Sequence, residues 1–270
     1  MFLLKFICVN FNNTDYSRKL VQSLELQTGR KELFSAECVI VDNSTNEQDA
    51  ADCEDLSRAY PWVTYMRAPK NLGYFGGLNY GISACGRADA EYTVICNNDL
   101  QFRDDFCEKL LGTEYDSTIF AVCPDVITAD GLHQNPHILR RISALRRFQF
   151  DLYFSHFYVS RLLIAVLRVV RPVKSSPSQP KEGCEMHMGV GACYVLTPEF
   201  FKHFKTLNYP FFLFGEEAYI SEQIHSADGI LWFDPNLRVD HAESAALSKV
   251  LNRKAYEFSR EGYPNYRKLL

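Results

Sequence analysis

The feature that most narrows the fold of this chain is an alternation that fills its first 111 residues. Short β-prone apolar runs at residues 4–11, 37–42, 62–67 and 92–96 are separated by stretches with helical spacing at 16–26, 50–59 and 76–85; a further helix follows at 103–111. Thr14 or Asp15 is placed to cap the first of these helices. Strands that alternate with helices predict a mostly parallel, doubly wound sheet. In such a sheet ligands bind beyond the carboxyl ends of the strands.

Those ends are unusual here. The run EYTVIC is a core strand by composition, yet it leads directly into Asn97, Asn98 and Asp99. Two other strands also finish in polar clusters, at Asn10–Asn13 and at Asp42–Ser44. Any one cluster reads equally well as a turn, since turns favour Asn and Asp. Neighbouring parallel strands share one carboxyl edge, so three such clusters predict a single crevice. A carboxylate at a strand end, such as Asp99, suits a hard divalent cation held together with phosphate oxygens. Asp42 is placed to accept hydrogen bonds from a nucleobase or ribose.

Composition removes several alternatives. The 270 residues are 47% hydrophobic and 23% charged, with a net charge of −4, which argues against a general nucleic-acid binder. The nine cysteines are scattered and several fall inside apolar strands, so they read as reduced core residues of a cytoplasmic protein. The apolar start is too short to span a bilayer and reads as the first strand. No GxGxxG follows that strand and no GxxxxGK[ST] occurs. The glycines of NLGYFGGLNYG instead fit a tight turn opening a helix, whose amides can face a phosphate.

The second half is different in kind. Residues 138–174 carry Arg140, Arg141, Arg146, Arg147, Arg161, Arg168, Arg171 and Lys174 against one acid, Asp151, interleaved with aromatic and aliphatic residues. Two readings stay open: an interfacial helix on anionic lipid, or a helical insertion that packs on the domain or on a partner chain. A Pro/Ser-rich connector, VKSSPSQPKEG, follows at 173–183. Then come a strand in GVGACYVL, a helix at 198–204, the aromatic segment NYPFFLFGEE, a helix from Glu217, strands at 230–233 and 237–241, and a polar, helix-leaning tail.

In order and spacing, VNFNN, VIVDNSTN, NLGYFGGLNYGI, a strand ending in NND, GVGACYVL, FFLFGEE and DPNLRVDH resemble the family 2 glycosyltransferases. The resemblance covers approximately residues 4–128 and 186–249. It implies a GT-A fold, an α/β architecture with a Rossmann-like central sheet flanked by helices, in one domain over 1–270. Residues 1–128 would form the nucleotide-sugar half, 129–185 a helical insertion and linker, and 186–270 the acceptor-binding and catalytic half.

The activity implied is inverting transfer from a UDP- or dTDP-linked sugar to a hydroxyl of a saccharide or lipid-linked acceptor. The setting implied is surface-polysaccharide (capsule or O-antigen) assembly, in the cytoplasm or peripherally on the inner face of the plasma membrane. Asn10, Asn12, Asp42, Asn71, Gly73, Gly77, Asn79, Asn97, Asn98 and Lys249 would hold the donor. Asp99 and His241 would hold Mg²⁺ or Mn²⁺. Of Glu216 and Glu217, the resemblance puts the general base at Glu217, with Glu216 holding the acceptor or the loop. Asn97 stands where many relatives carry the first Asp of a DxD motif. That departure keeps a nucleotide-sugar-binding scaffold without turnover as an alternative, and a sugar-nucleotide pyrophosphorylase as a weaker one.

Overall fold

The computed structural model describes residues 2–27, 34–84, 90–170, 180–242 and 253–270, with the side chains of 167–170, 254 and 255 excepted. The first strands and helices are β1 (Phe2–Asn10), α1 (Thr14–Gln27), β2 (Phe34–Asp42), α2 (Glu47–Ala59), β3 (Val63–Arg67), α3 (Tyr74–Ala84), β4 (Tyr92–Asn97), β5 (Leu100–Phe102), α4 (Phe106–Gly112) and β6 (Ile119–Thr128). A helical hairpin, α5 (Ala144–Ser155) and α6 (Phe157–Val170), follows. The chain then forms β7 (Cys184–Met186), β8 (Cys193–Leu196), α7 (Pro198–His203), α8 (Glu216–His225), β9 (Ile230–His241) and a last helix, here α9 (Arg253–Tyr266).

These strands form one sheet in the order β3-β2-β1-β4-β8-β6-β9-β5, with β7 paired to β9. The pairs β3–β2, β2–β1 and β1–β4 are parallel, as the alternation predicts. Beyond β4 the sheet is mixed: β8 runs antiparallel to β4 and β6, β6 and β9 run parallel, and β5 and β7 run antiparallel to β9. The chain leaves β1 towards β2 and later returns to the other side of β1 as β4. The order therefore reverses between β1 and β4, and that switch point opens a crevice at their carboxyl ends.

Side-chain alternation along β1 divides the core. Leu4, Phe6 and Cys8 pack with Leu20 and Leu24 of α1 on one face. Ile7 and Val9 pack with Phe75, Leu78 and Ile82 of α3 on the other. Full burial of each such Leu, Ile or Phe contributes about 1.5–3 kcal/mol, so both faces anchor the strand ends firmly. The cysteines described on β1, β2, β4, β6 and β8 are buried and free, in line with a core role.

Several elements depart from the sequence expectation, among them the short strands β5 and β7. Residues 230–233 and 237–241 belong to one long strand, which stays continuous through an irregularity in register opposite Pro124 and Asp125. The strand at 119–128 was not expected. Its run IFAVCPDVIT contains a proline, which lowers strand expectation from sequence.

Candidate active site

Three polar strand ends do meet at the β1–β4 switch point, but they do different things. Asp42, at the end of β2, is fully buried. Its Oδ1 accepts from Asn10 Nδ2 at 3.1 Å and from the Ser44 amide at 3.0 Å. Its Oδ2 accepts from the Tyr65 hydroxyl at 3.1 Å and from Arg67 at 2.7 Å. Burial alone would raise this carboxyl, yet hydrogen bonds from Ser44, Asn10 and Arg67 outweigh it and hold it below its ordinary value. Asn10 Nδ2 also reaches Ser44 Oγ and Asp49 Oδ2, and Asn12 Oδ1 accepts from the amides of Thr45 and Asn46. This end is a closed network that fixes the loops after β1 and β2.

The β4 end is open. Asn98 Nδ2 bridges to Asn10 Oδ1, the Asn13 carbonyl and Ser17 Oγ, which fixes the turn that carries Asp99. Asp99 Oδ2 lies 3.2 Å from His241 Nε2, since β5 and β9 pair Leu100 directly with His241. His241 Nδ1 in turn lies 2.8 Å from Gln134 Oε1. Asp99 Oδ1 is buried and meets no hydrogen-bond donor. A buried carboxylate oxygen left without a donor is costly in a finished core, and it marks a place where a ligand completes the site.

Two adjoining clefts share this edge. The first, about 390 Å³, is lined on one side by Asn13, Tyr16 and Asn43, and on the other by Asn97, Asn98 and Asp99, with Asn71, Gly73 and Phe212 closing it. The second, about 340 Å³, is lined by Gln134, Gly191, Glu216, Glu217 and His241. Tyr74, Asn97 and Leu213 line both. The Tyr74 hydroxyl donates to the Gly191 carbonyl at 3.1 Å and holds the wall between them.

The turn into α3 depends on glycine. Gly73 has φ +74°, and a Cβ there would meet the Phe212 carbonyl oxygen at 2.1 Å. Asn43 holds the same turn, donating to the Gly73 carbonyl and accepting from the Leu72 amide. Opposite, Gly215 has φ +93° just before α8 and directs Glu216 and Glu217 into the second cleft. Gly191 leaves room for Glu217, whose Oε1 would lie 2.7 Å from a Cβ at that position. Glu216 is buried, and desolvation, reinforced by the adjacent Glu217 carboxylate, pushes it up to about 7.

Of the residues predicted from sequence, Asn71, Gly73, Asn97, Asn98 and Asp99 line the first cleft. Glu216, Glu217 and His241 line the second. Asn10, Asn12, Asp42, Gly77 and Asn79 line neither cleft. Asn79 clamps the amide and carbonyl of Leu207, and Gly77 lets α3 approach Val9 of β1. Lys249 lies outside the described residues. Sequence reasoning missed Asn43, Tyr16, Tyr74 and Phe212. Asn43 was within the polar cluster already noted, whereas the other three are recognisable only once the turns are folded together.

A divalent cation is the group this architecture implies. Among the described residues no cluster of three or more His, Cys, Asp or Glu is placed to hold one. The donor set of Asp99 and His241, with Asp99 Oδ1 unpartnered, nevertheless fits a hard cation that takes its remaining ligands from water and phosphate.

The sequence pattern of the glycosyl transferase family 2 matches residues 6–171, and the chain belongs to that family. Its fold is the GT-A glycosyltransferase fold. It is similar to GalNAc-T7, crystallised with UDP, GalNAc and Mn²⁺, at a TM-score of 0.62 and 17% identity over 90% of this chain and 44% of that one. It is also similar to S. aureus TarS 1-349, at a TM-score of 0.51 and 12% identity over 90% of this chain. The alignment spans only 60% of that TarS chain. At these identities the likeness is one of fold. No curated protein sequence matches the chain.

Proposed function

We propose that the chain is an inverting glycosyltransferase that uses a UDP- or dTDP-linked sugar. The observation that carries this reading is the pair of contiguous clefts. One has an open carboxylate, amide side chains and a glycine turn; the other has two carboxylates; Tyr74 and Asn97 stand between them. The first cleft suits a nucleoside diphosphate beside Asp99, and the second an acceptor hydroxyl beside Glu217.

In the reaction, a Glu217 carboxylate oxygen takes the acceptor proton. The acceptor oxygen forms its bond to the anomeric carbon as the bond to the diphosphate oxygen breaks on the opposite face. The nucleoside diphosphate leaves with that electron pair. Asp99 and His241 would hold a Mg²⁺ or Mn²⁺ ion, whose chemistry is to offset negative charge on the leaving group. Asn98 and its partners keep the Asp99 turn in place.

A second reading makes Glu216 the base. It is favoured by a proton affinity near neutrality, the range in which general bases work best. The unit over 1–270 would divide as read from sequence, with 1–128 binding donor and 186–270 binding acceptor. We extend the proposal to a saccharide or lipid-linked acceptor in surface-polysaccharide assembly, on the cytoplasmic side. No described helix is long and apolar enough to cross a membrane.

Incubation with a panel of sugar nucleotides and Mn²⁺ tests the proposal. Release of free nucleoside diphosphate is the expected result. Binding without release would identify a scaffold, and release of sugar phosphate a pyrophosphorylase; either outcome overturns it.

A further inference from the structure

The α5–α6 hairpin buries one face and leaves the other bare. Its inner face packs on α9. Asp151 forms a two-point ion pair with Arg267 at 2.5 and 2.6 Å and accepts from the Tyr263 hydroxyl at 2.6 Å. Phe154 stacks on Tyr263 at 4.4 Å, and Phe157 meets Tyr256 edge-on at 5.4 Å. On the outer face Leu145, Phe148 and Leu152 of α5 are exposed at spacings of three and four. On α6, Tyr158, Leu162 and Val166 recur at a spacing of four and are 62%, 66% and 51% exposed. Apolar residues at that spacing, aimed at solvent along two consecutive helices, form an unpartnered stripe.

Charge decides what covers the stripe. Arg140, Arg146 and Arg161 flank it and are exposed, and Arg253 lies over the Phe157 ring at 5.8 Å. Arg147 does not join them: it turns inward to the Leu270 carbonyl. The one acid of the segment, Asp151, is held well below the usual carboxylate range by Arg267 and is neutralised there. A second copy of this chain would bring an identical cationic face against this one, and the like charges would repel. An anionic surface complements both the cations and the apolar stripe.

We propose that this outer face docks the protein on an anionic lipid bilayer. The Leu145–Val166 stripe would lie at the level of the acyl chain boundary, with Arg140, Arg146 and Arg161 at the headgroups. The supporting helix continues the connection inward, because Tyr266 of α9 abuts Gly215, and a Cβ at Gly215 would approach its ring to 2.2 Å. Helix α9 therefore braces the loop carrying Glu216 and Glu217. The role of that brace in meeting a lipid-linked acceptor rests on the function proposed above; the docking itself does not.

Co-sedimentation tests it, using vesicles of phosphatidylcholine with phosphatidylglycerol and vesicles of phosphatidylcholine alone. The wild type should sediment with the anionic vesicles and release as salt rises. Leu162→Asp with Val166→Asp should abolish binding. Arg140→Gln, Arg146→Gln and Arg161→Gln together should weaken it on the order of 100-fold. Melting and nucleoside diphosphate release in solution should match wild type, which separates loss of docking from loss of the fold or of the transferase reading. Absent or lipid-independent binding, or stripe variants that bind like wild type, would overturn the proposal. So would a wild-type dimer in sedimentation velocity that Leu162→Asp dissociates, since the face would then belong to a second copy.

Discussion

The carboxyl ends of β2 and β4 lie on the same edge of one sheet, and each carries an aspartate. Asp42 has both oxygens engaged by donors from Asn10, Ser44, Tyr65 and Arg67. Asp99 keeps one oxygen buried and unpartnered. Position on the sheet edge therefore does not by itself leave a carboxylate oxygen without a donor. What distinguishes the two is whether the protein has already satisfied the charge. A saturated carboxylate holds architecture; an unsaturated one is available to bind. Substitutions at the closed end should cost stability, and those at the open edge should cost activity.

The largest effect should come from the second cleft, where the open edge continues. Glu217→Gln preserves size and polarity but cannot take a proton. It should lower kcat about 100-fold or more with donor affinity nearly unchanged. Glu216→Gln should cost less in kcat and raise the acceptor KM. Steady-state kinetics on both variants would reverse the assignment if only Glu216→Gln abolished turnover.

Next comes the closed end. Asp42→Asn removes the partner of a cation that is itself about a third exposed, so the full penalty of a broken buried pair is reduced. We expect a loss of about 2 kcal/mol in urea unfolding, with the sign of a structural residue. Unchanged stability together with lost nucleotide binding would move Asp42 back into the donor site.

The smallest effect separates the two ends by pH. The Asp42 carboxyl is lowered from its ordinary 3.8, so its contribution is present above that value and fades as pH falls through the lowered one. Glu216 is raised from 4.5 to about 7, so the folded state binds the proton more tightly. Its contribution is complete below 4.5 and is lost as pH climbs to about 7. The melting temperature of Glu216→Gln relative to wild type should rise by a few degrees across that window and stay level above it. A constant difference from pH 4 to 8 would contradict the desolvated environment assigned to Glu216.

Part of this contrast between the two strand ends is written in the sequence. The parallel half of the sheet and its polar edge were legible because strand and helix periods differ and because Asn-Asn-Asp is foreign to a buried strand. The saturation of Asp42 was not. It depends on Arg67, directly opposite in the parallel register of β2 and β3 but 25 residues away in the chain. Tyr65 and Arg67 alternate on one face of β3, and that period was the available clue. Asn43 carries no charge to mark it in the sequence, yet it lines the cleft and Asp42 does not. The hairpin was legible as basic and aromatic. Which arginines face outward was not, because Arg147 turns inward through contacts made by the chain's last residues.

The most direct test of the open-edge assignment is calorimetric titration of UDP and dTDP, with Mn²⁺ and with EDTA, into wild type, Asp99→Asn and Asp42→Asn. Mn²⁺ should tighten nucleotide binding to wild type. Asp99→Asn should lose that dependence while melting at or above the wild-type temperature, and Asp42→Asn should retain it while melting lower. Equal Mn²⁺ dependence in wild type and Asp99→Asn, or its loss in Asp42→Asn alone, would contradict the account.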